Sequence, residues 1–246
     1  EENNKQKVVQ DKYSIPSIHL DVPPNEWIPY KPASKMMVLD EIFPEGLTIP
    51  KIFPGKNIVH LPTMKTHVFT TLTGAMKNAF GGLLNRKRHW THSVIHETIV
   101  DLLAIQKEIH PGIFAVTDGT FAGDGPGPRA MRWHEKNVFL ASADQVAIDA
   151  VAAKMMGFDP MSIKFIKLAH DRGLGCGDIS EIEVVGEDIT NINWHFQQSE
   201  NTFASRGQKL IYWGPLKPLE NLLLRSAIAP WAFFASNLYH NSYWLR

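Results

Sequence analysis

Between Met36 and Val185 short apolar runs alternate with stretches whose apolar residues recur every three or four positions, and that alternation narrows the fold more than any other feature. The runs Met36–Leu39, Leu47–Ile49, Asn57–Leu61, Ile113–Val116, Val138–Ala141 and Ile182–Val185 read as strands. Val68–Leu84 has helical spacing, with Leu72, Met76, Phe80 and Leu83 on one side. Thr91–Ile109 carries a stripe of Val94, Ile95, Thr98, Leu102, Ile105 and Ile109, ended by His110-Pro111-Gly112. Asp144 reads as the cap of a helix to about Met156, and Asp159-Pro160 opens another to about Asp171. Strands that alternate with helices imply an α/β fold: a mostly parallel sheet flanked by helices, followed by a helical, aromatic-rich C-terminal segment. The expected divisions are an extended, Pro-rich wrapping segment at 1–34, an α/β core at 35–190 and the helical segment at 191–246.

Charge narrows the partners. Lys+Arg and Asp+Glu both number 25, so no global basic excess attracts nucleic acid, and any anion site must be local. Cys176 is the single cysteine, which excludes an internal disulfide and a Cys-rich metal cluster built by this sequence alone, and fits a reducing compartment such as the cytoplasm. The sequence opens on Glu1 with a polar stretch to Lys12, and the expectation is a fragment of a longer protein. Leu219–Leu245 is the most apolar region, but Arg225 and Pro230 interrupt it. A core helix pair is the expected reading, with membrane-surface contact through Trp231, Phe233, Phe234 and Trp244 as the alternative.

The chemistry-bearing residues concentrate after two expected strand ends, where ligands bind in parallel sheets. Thr63-Met64-Lys65-Thr66-His67 follows the third run, and Gly74-Ala75-Met76-Lys77-Asn78 adds a second lysine and an amide on a glycine-flanked segment. Lys65, Lys77 and Arg86 suit a phosphate or carboxylate, with Asn78 beside them. His67 is expected to move a proton near pH 7. Lys87 and Arg88 read as wet loop residues. Asp118, at the end of the fourth run, is placed to accept from a ligand, pair with Lys65 or Lys77, or bind a cation. Gly125, in the following Gly-Pro loop, would let the backbone approach a ligand. Asp149 sits within an alanine-rich buried helix and requires a buried partner, for which one of the lysines would serve. His92 and His96 stand four apart, a spacing at which one helix face could grip a metal. The leading expectation is an enzyme core binding a small anion, with His67, Lys77 and Asp118 catalytic; the competing class is a non-catalytic electron-transfer partner or assembly module that docks to a redox protein.

Five segments resemble the domain of unknown function 362 family: Leu61–His67, Thr73–Asn78, the Asp118–Pro128 loop, Ala143–Ala150 and Met156–Pro160. The resemblance spans about Ile49 to Glu187 and carries no settled activity. It implies redox company, since such proteins often bear a ferredoxin-like cysteine cluster; an iron–sulfur cluster would therefore belong to a part of the protein outside this sequence. His67, Lys77 and His92 or His96 are also similar in order and spacing to the histidines and cofactor-bearing lysine of nickel-pincer lactate racemases, which would imply a nickel cofactor and racemase or epimerase chemistry. Ala75-Met76 stands where those enzymes carry a diglycine.

Overall fold

The structure, a computed structural model, describes residues 6–20, 22–84, 86–128, 130–197 and 201–226, and only the backbone of residues 86, 87, 204, 224 and 225. Helix α1 (Gln6–Tyr13) precedes strand β1 (Trp27–Tyr30), helix α2 (Leu39–Ile42) and strand β2 (Leu47–Pro50). Strands β1 and β2 pair antiparallel as a small sheet, so part of the Pro-rich N-terminal stretch is regular strand.

The main sheet is mixed. β3 (Ile58–His60) and β4 (Thr63–His67) lie one after the other along one side of β6 (Ile113–Asp124), both parallel to it. β7 (Arg132–Ser142) runs antiparallel along the other side of β6, and β5 (Thr71–Leu72) pairs antiparallel with β4. Helices α3 (Ala79–Leu83), α4 (Ile95–Ile109), α5 (Gln145–Met156) and α6 (Lys164–Asp171) supply most of the core. Ile95, Ile99, Leu102, Leu103 and Ile105 of α4 are fully buried at helical spacing, beside Phe165 of α6 and Met76. The opposite face of the sheet is barer. Cross-strand pairing sets Val59 beside Phe114 and Asp118 beside Phe139 there, and the three apolar residues are exposed. Helices α7 (Phe203–Tyr212) and α8 (Glu220–Arg225) follow. Among the described residues no helix is long and apolar enough to cross a membrane. Trp231, Phe233, Phe234 and Trp244 lie outside the described residues.

Local chemistry explains the best-defined ends. Asp144 caps α5 by accepting from Val146 and Ala147 N–H, and Gly157 ends it at a positive φ of 100°. Asp159 accepts from Met161 N–H ahead of Pro160, as expected, although only a 3₁₀ turn follows before α6 begins at Lys164.

Elsewhere the structure departs from the sequence reading. Met36–Leu39 is no strand: the buried Asp101 carboxylate accepts from the N–H groups of Met37, Val38 and Leu39, satisfying donors that a strand would have given to a neighbour. Val68–Leu84 is not one helix but β5, a 3₁₀ turn over Met76–Asn78 and α3. The helix expected from Thr91 starts as α4 at Ile95, after a 3₁₀ stretch over Arg86–Val94. Ile182–Val185 forms no strand. β6 is much longer than Ile113–Val116, because β7 pairs with it past Gly119 to Asp124.

Candidate functional site

Lys65 and His67 stand two apart inside β4 and so share one of its faces, rather than following a strand as expected. Lys77 reaches them from the 3₁₀ turn Met76–Asn78. That turn is held from below. The wholly buried Asp149 carboxylate accepts from Ala75 N–H (2.6 Å) and Met76 N–H (3.1 Å). A Cβ at Gly74, whose φ is 63°, would collide with the same carboxylate. The partner of Asp149 is therefore backbone, not lysine, which corrects the sequence expectation: two N–H groups satisfy both oxygens without a second buried charge. Burial raises this carboxyl to about 7 against the pull of those two donors.

The 3₁₀ stretch before α4 adds Arg88, His89 and His92, and α4 adds His96. Nearly every titrating neighbour in this region is basic. Burial pushes His67 down to about 2, helped by the charges of Lys77, His92, Lys65 and His96. Lys77 falls to about 8 through burial and the nearby Lys65 and Arg88. His92 falls to about 4 through burial, with His89, Lys77 and Arg88 contributing. Burial lowers Lys65 as well. Among the described residues no carboxylate pairs with Lys65, Lys77 or Arg88. Glu220 approaches this side but accepts from Ser93 Oγ (2.7 Å).

The imidazole protons are placed by their partners. Phe69 N–H donates to His67 Nδ1 (3.2 Å), so the neutral ring carries its proton on Nε2. The expectation that His67 moves a proton near pH 7 is corrected accordingly: beside two cations and out of water, the ring stays neutral. Lys77, lowered to about 8, comes closer to neutrality than His67 does. His92 Nδ1 lies 3.3 Å from His89 carbonyl oxygen and donates to it. Aromatic rings close the site. Phe69 meets His67, His92, Tyr212 and Trp213 edge-on, and Tyr212 stacks on His92 at 5.7 Å.

Several expected site residues stand apart. Asp118 lies mid-strand rather than at a strand end; it is exposed, and its carboxylate accepts from Thr120 N–H (2.8 Å) instead of pairing with a lysine. Asn78 turns away, with Nδ2 3.2 Å from His60 Nδ1. Gly125, at a φ of 103°, gives its carbonyl to Thr66 Oγ1 (2.7 Å), which ties its loop to β4. The side chain of Arg86 lies outside the described residues. His92 lies on the 3₁₀ stretch and His96 in the first turn of α4, and both imidazoles act on His67. His96 stacks on Phe165 at 6.0 Å.

Sequence reading missed Arg88, which is at the site rather than a wet loop residue; its placement four before His92 was the available signal. It also missed His170, Cys176 and Glu181, whose potential ligand atoms lie within 4.8 Å of one another. There Gly177 N–H donates to His170 Nδ1 (3.1 Å), whereas a metal-ligating imidazole usually donates from its second nitrogen.

The sequence profile of a family described as Domain of unknown function (DUF362) matches residues 29–154, a block that contains Lys65, His67, Lys77, Arg88 and His92. A relative, thylakoid-associated protein sll1697 of Synechocystis sp. (strain ATCC 27184 / PCC 6803 / Kazusa), is 28% identical over 121 residues. Those residues are 48% of this chain and 37% of the relative, so the match spans little more than a third of that protein's length. No solved structure matches the chain.

Proposed function

Because the chain belongs to the domain of unknown function 362 family, whose description assigns no chemistry, we propose a function from the site alone: Lys65, Lys77, Arg88 and His67 bind a small anion, a phosphate or carboxylate, in the core of an enzyme. One observation carries the reading. Half-buried cations gather here with basic neighbours and, among the described residues, without a paired carboxylate. Such a cluster is costly while empty and gains Coulomb energy when an anion enters. His67 would give its Nε2–H to the anion, and Lys77 would take up or release a proton at its ordinary working pH.

The test is calorimetry on the intact chain with inorganic phosphate and with malonate. At pH 8, in buffers of different ionisation heat, binding should draw in about half a proton as the anion lifts Lys77. Lys77→Met should abolish that uptake and weaken binding at least about tenfold. Absence of binding to both anions at millimolar concentration would overturn the reading.

A second reading, a nickel-cofactor racemase or epimerase, draws support from His67, Lys77 and His92 being electrostatic neighbours. Intact-mass measurement of protein from cells grown with nickel would reveal an adduct on Lys77; an unmodified mass counts against it. An electron-transfer or assembly role would instead leave Lys77→Met without effect on any anion. We infer a cytoplasmic location, supported by the free Cys176 thiol. The thylakoid association in the relative's name would bring the protein to a membrane surface instead, and cell fractionation separates the two.

A further inference from the structure

A second polar site opens where Asn78 turns away from the cationic cluster. A cavity of about 180 Å³ lies between β3, α3 and the end of α4. Phe53, Ile58 and Leu83 give it an apolar wall, while His60, Gln106 and His110 give it a polar end. Hydrogen-bond chemistry fixes what that end presents. His60 Nε2 lies 2.5 Å from Gln106 Oε1, and an amide oxygen only accepts, so the ring donates there. His60 Nδ1 is then bare and accepts from Asn78 Nδ2. With its oxygen taken, Gln106 is left with an NH₂ group that has no partner among the described residues, on a side chain 1% exposed. At His110, Nδ1 lies 2.8 Å from the Lys56 carbonyl and must donate to it. His110 Nε2 is therefore a bare lone pair, likewise buried and unpartnered. Burial holds both rings on the neutral side, consistent with these proton positions.

At the end of an apolar wall the cavity thus holds an unpartnered donor group, the Gln106 NH₂, and an unpartnered acceptor, His110 Nε2, and among the described residues no lysine or arginine lines it. Buried polar atoms in folded proteins are nearly always satisfied. A hydroxyl carries the complementary pair, a hydrogen for His110 Nε2 and an oxygen that accepts from Gln106 Nε2. The volume is close to that of a cavity known to hold benzene. We propose that this cavity binds a small neutral alcohol or phenol, a hydroxyl on a body about the size of one six-membered ring. It is separate from the anion site and does not depend on that assignment.

Phenol, anisole and toluene, titrated into the full chain and followed by ligand-detected NMR and thermal unfolding, test this directly. They present donor plus acceptor, acceptor only, and neither. Phenol should bind about tenfold more tightly than toluene, with anisole between, because a site built around a hydroxyl rejects the analogue that leaves its polar atoms unpaired. At saturating phenol the melting temperature should rise by a few degrees, roughly 3 °C. Gln106→Met should bring phenol down to the level of toluene. Gly82→Leu should abolish binding of all three while leaving the fold intact, since Gly82 lines the cavity and a Cβ there meets Phe53 at 3.7 Å and Leu20 at 3.9 Å, both ordinary contacts. Gly82→Leu keeps the test decisive even if Gln106→Met fails to fold. Equal affinity for phenol and toluene, phenol binding that survives Gly82→Leu, or a cavity that takes up only water would each overturn the proposal.

Discussion

Replacing Lys77 by Met should make the ligand-free protein more stable at neutral pH. Lys77 is held near 8 where a free lysine titrates at 10.5, chiefly by burial and then by Lys65 and Arg88. Keeping the ammonium charged in that place therefore costs about 3 kcal/mol at pH 7. Methionine keeps the apolar stem against Phe80 and loses a cation–π contact seen at 5.3 Å, worth about 0.5 kcal/mol. A net gain of about 2.5 kcal/mol at pH 7 follows, read as a higher urea midpoint at unchanged slope. The pH dependence has a defined sign. Between pH 8 and 10.5 the unfolded chain holds the Lys77 proton while the folded chain has released it, so the parent gains stability as pH rises through that window, by up to about 1.4 kcal/mol per pH unit. The variant lacks that contribution, so the two stability curves should converge above pH 10. Millimolar phosphate should stabilise the parent more than the variant. A variant no more stable than its parent at pH 7, with an undiminished alkaline rise, would refute the claim that Lys77 is an uncompensated cation.

Two histidines should withdraw stability in acid. His67 and His92 are neutral in the fold, held down to about 2 and about 4 by burial first, whereas the unfolded chain protonates both near 6.5. Each histidine therefore withdraws stability as pH falls below 6.5, while Asp149, raised to about 7, contributes the opposite sign over the same range; in urea midpoints at pH 7, 5.5 and 4.5, His67→Gln should lose less on acidification than the parent. Asp149→Asn should cost about 2 kcal/mol, because one amide N–H would face the N–H of Ala75 or Met76. The same change should also weaken phosphate binding by loosening the turn that carries Lys77. Asp101→Asn should cost about 2 kcal/mol through the three N–H groups at Met37, Val38 and Leu39, read as a lower urea midpoint with anion binding retained.

The signals legible in the chain were those whose cause lies within one turn or one strand. The Asp144 cap, the Asp159-Pro160 start, the apolar stripe of α4 and the existence of β2, β3, β6 and β7 depend on contacts between residues a few positions apart, and pattern alone determines them. Recognition of the family rested on the same short motifs. Two lysines and a histidine could be picked out because their types and spacing are unusual beside apolar runs. Tertiary structure decided their company. The length of β6 depends on a distant partner strand, and so does the position of Asp118 within it rather than at its end. Asp149 was visibly in need of a partner, but only packing shows two backbone N–H groups instead of an ammonium. Likewise only packing sets Arg88 beside Lys77 and closes Tyr212 over His92 across more than a hundred residues of chain. The physical reason is the same throughout. Propensity and capping act through bonds that the local backbone can reach, whereas burial and charge depend on which distant segments exclude water from a group, and that is settled only when the whole chain has packed.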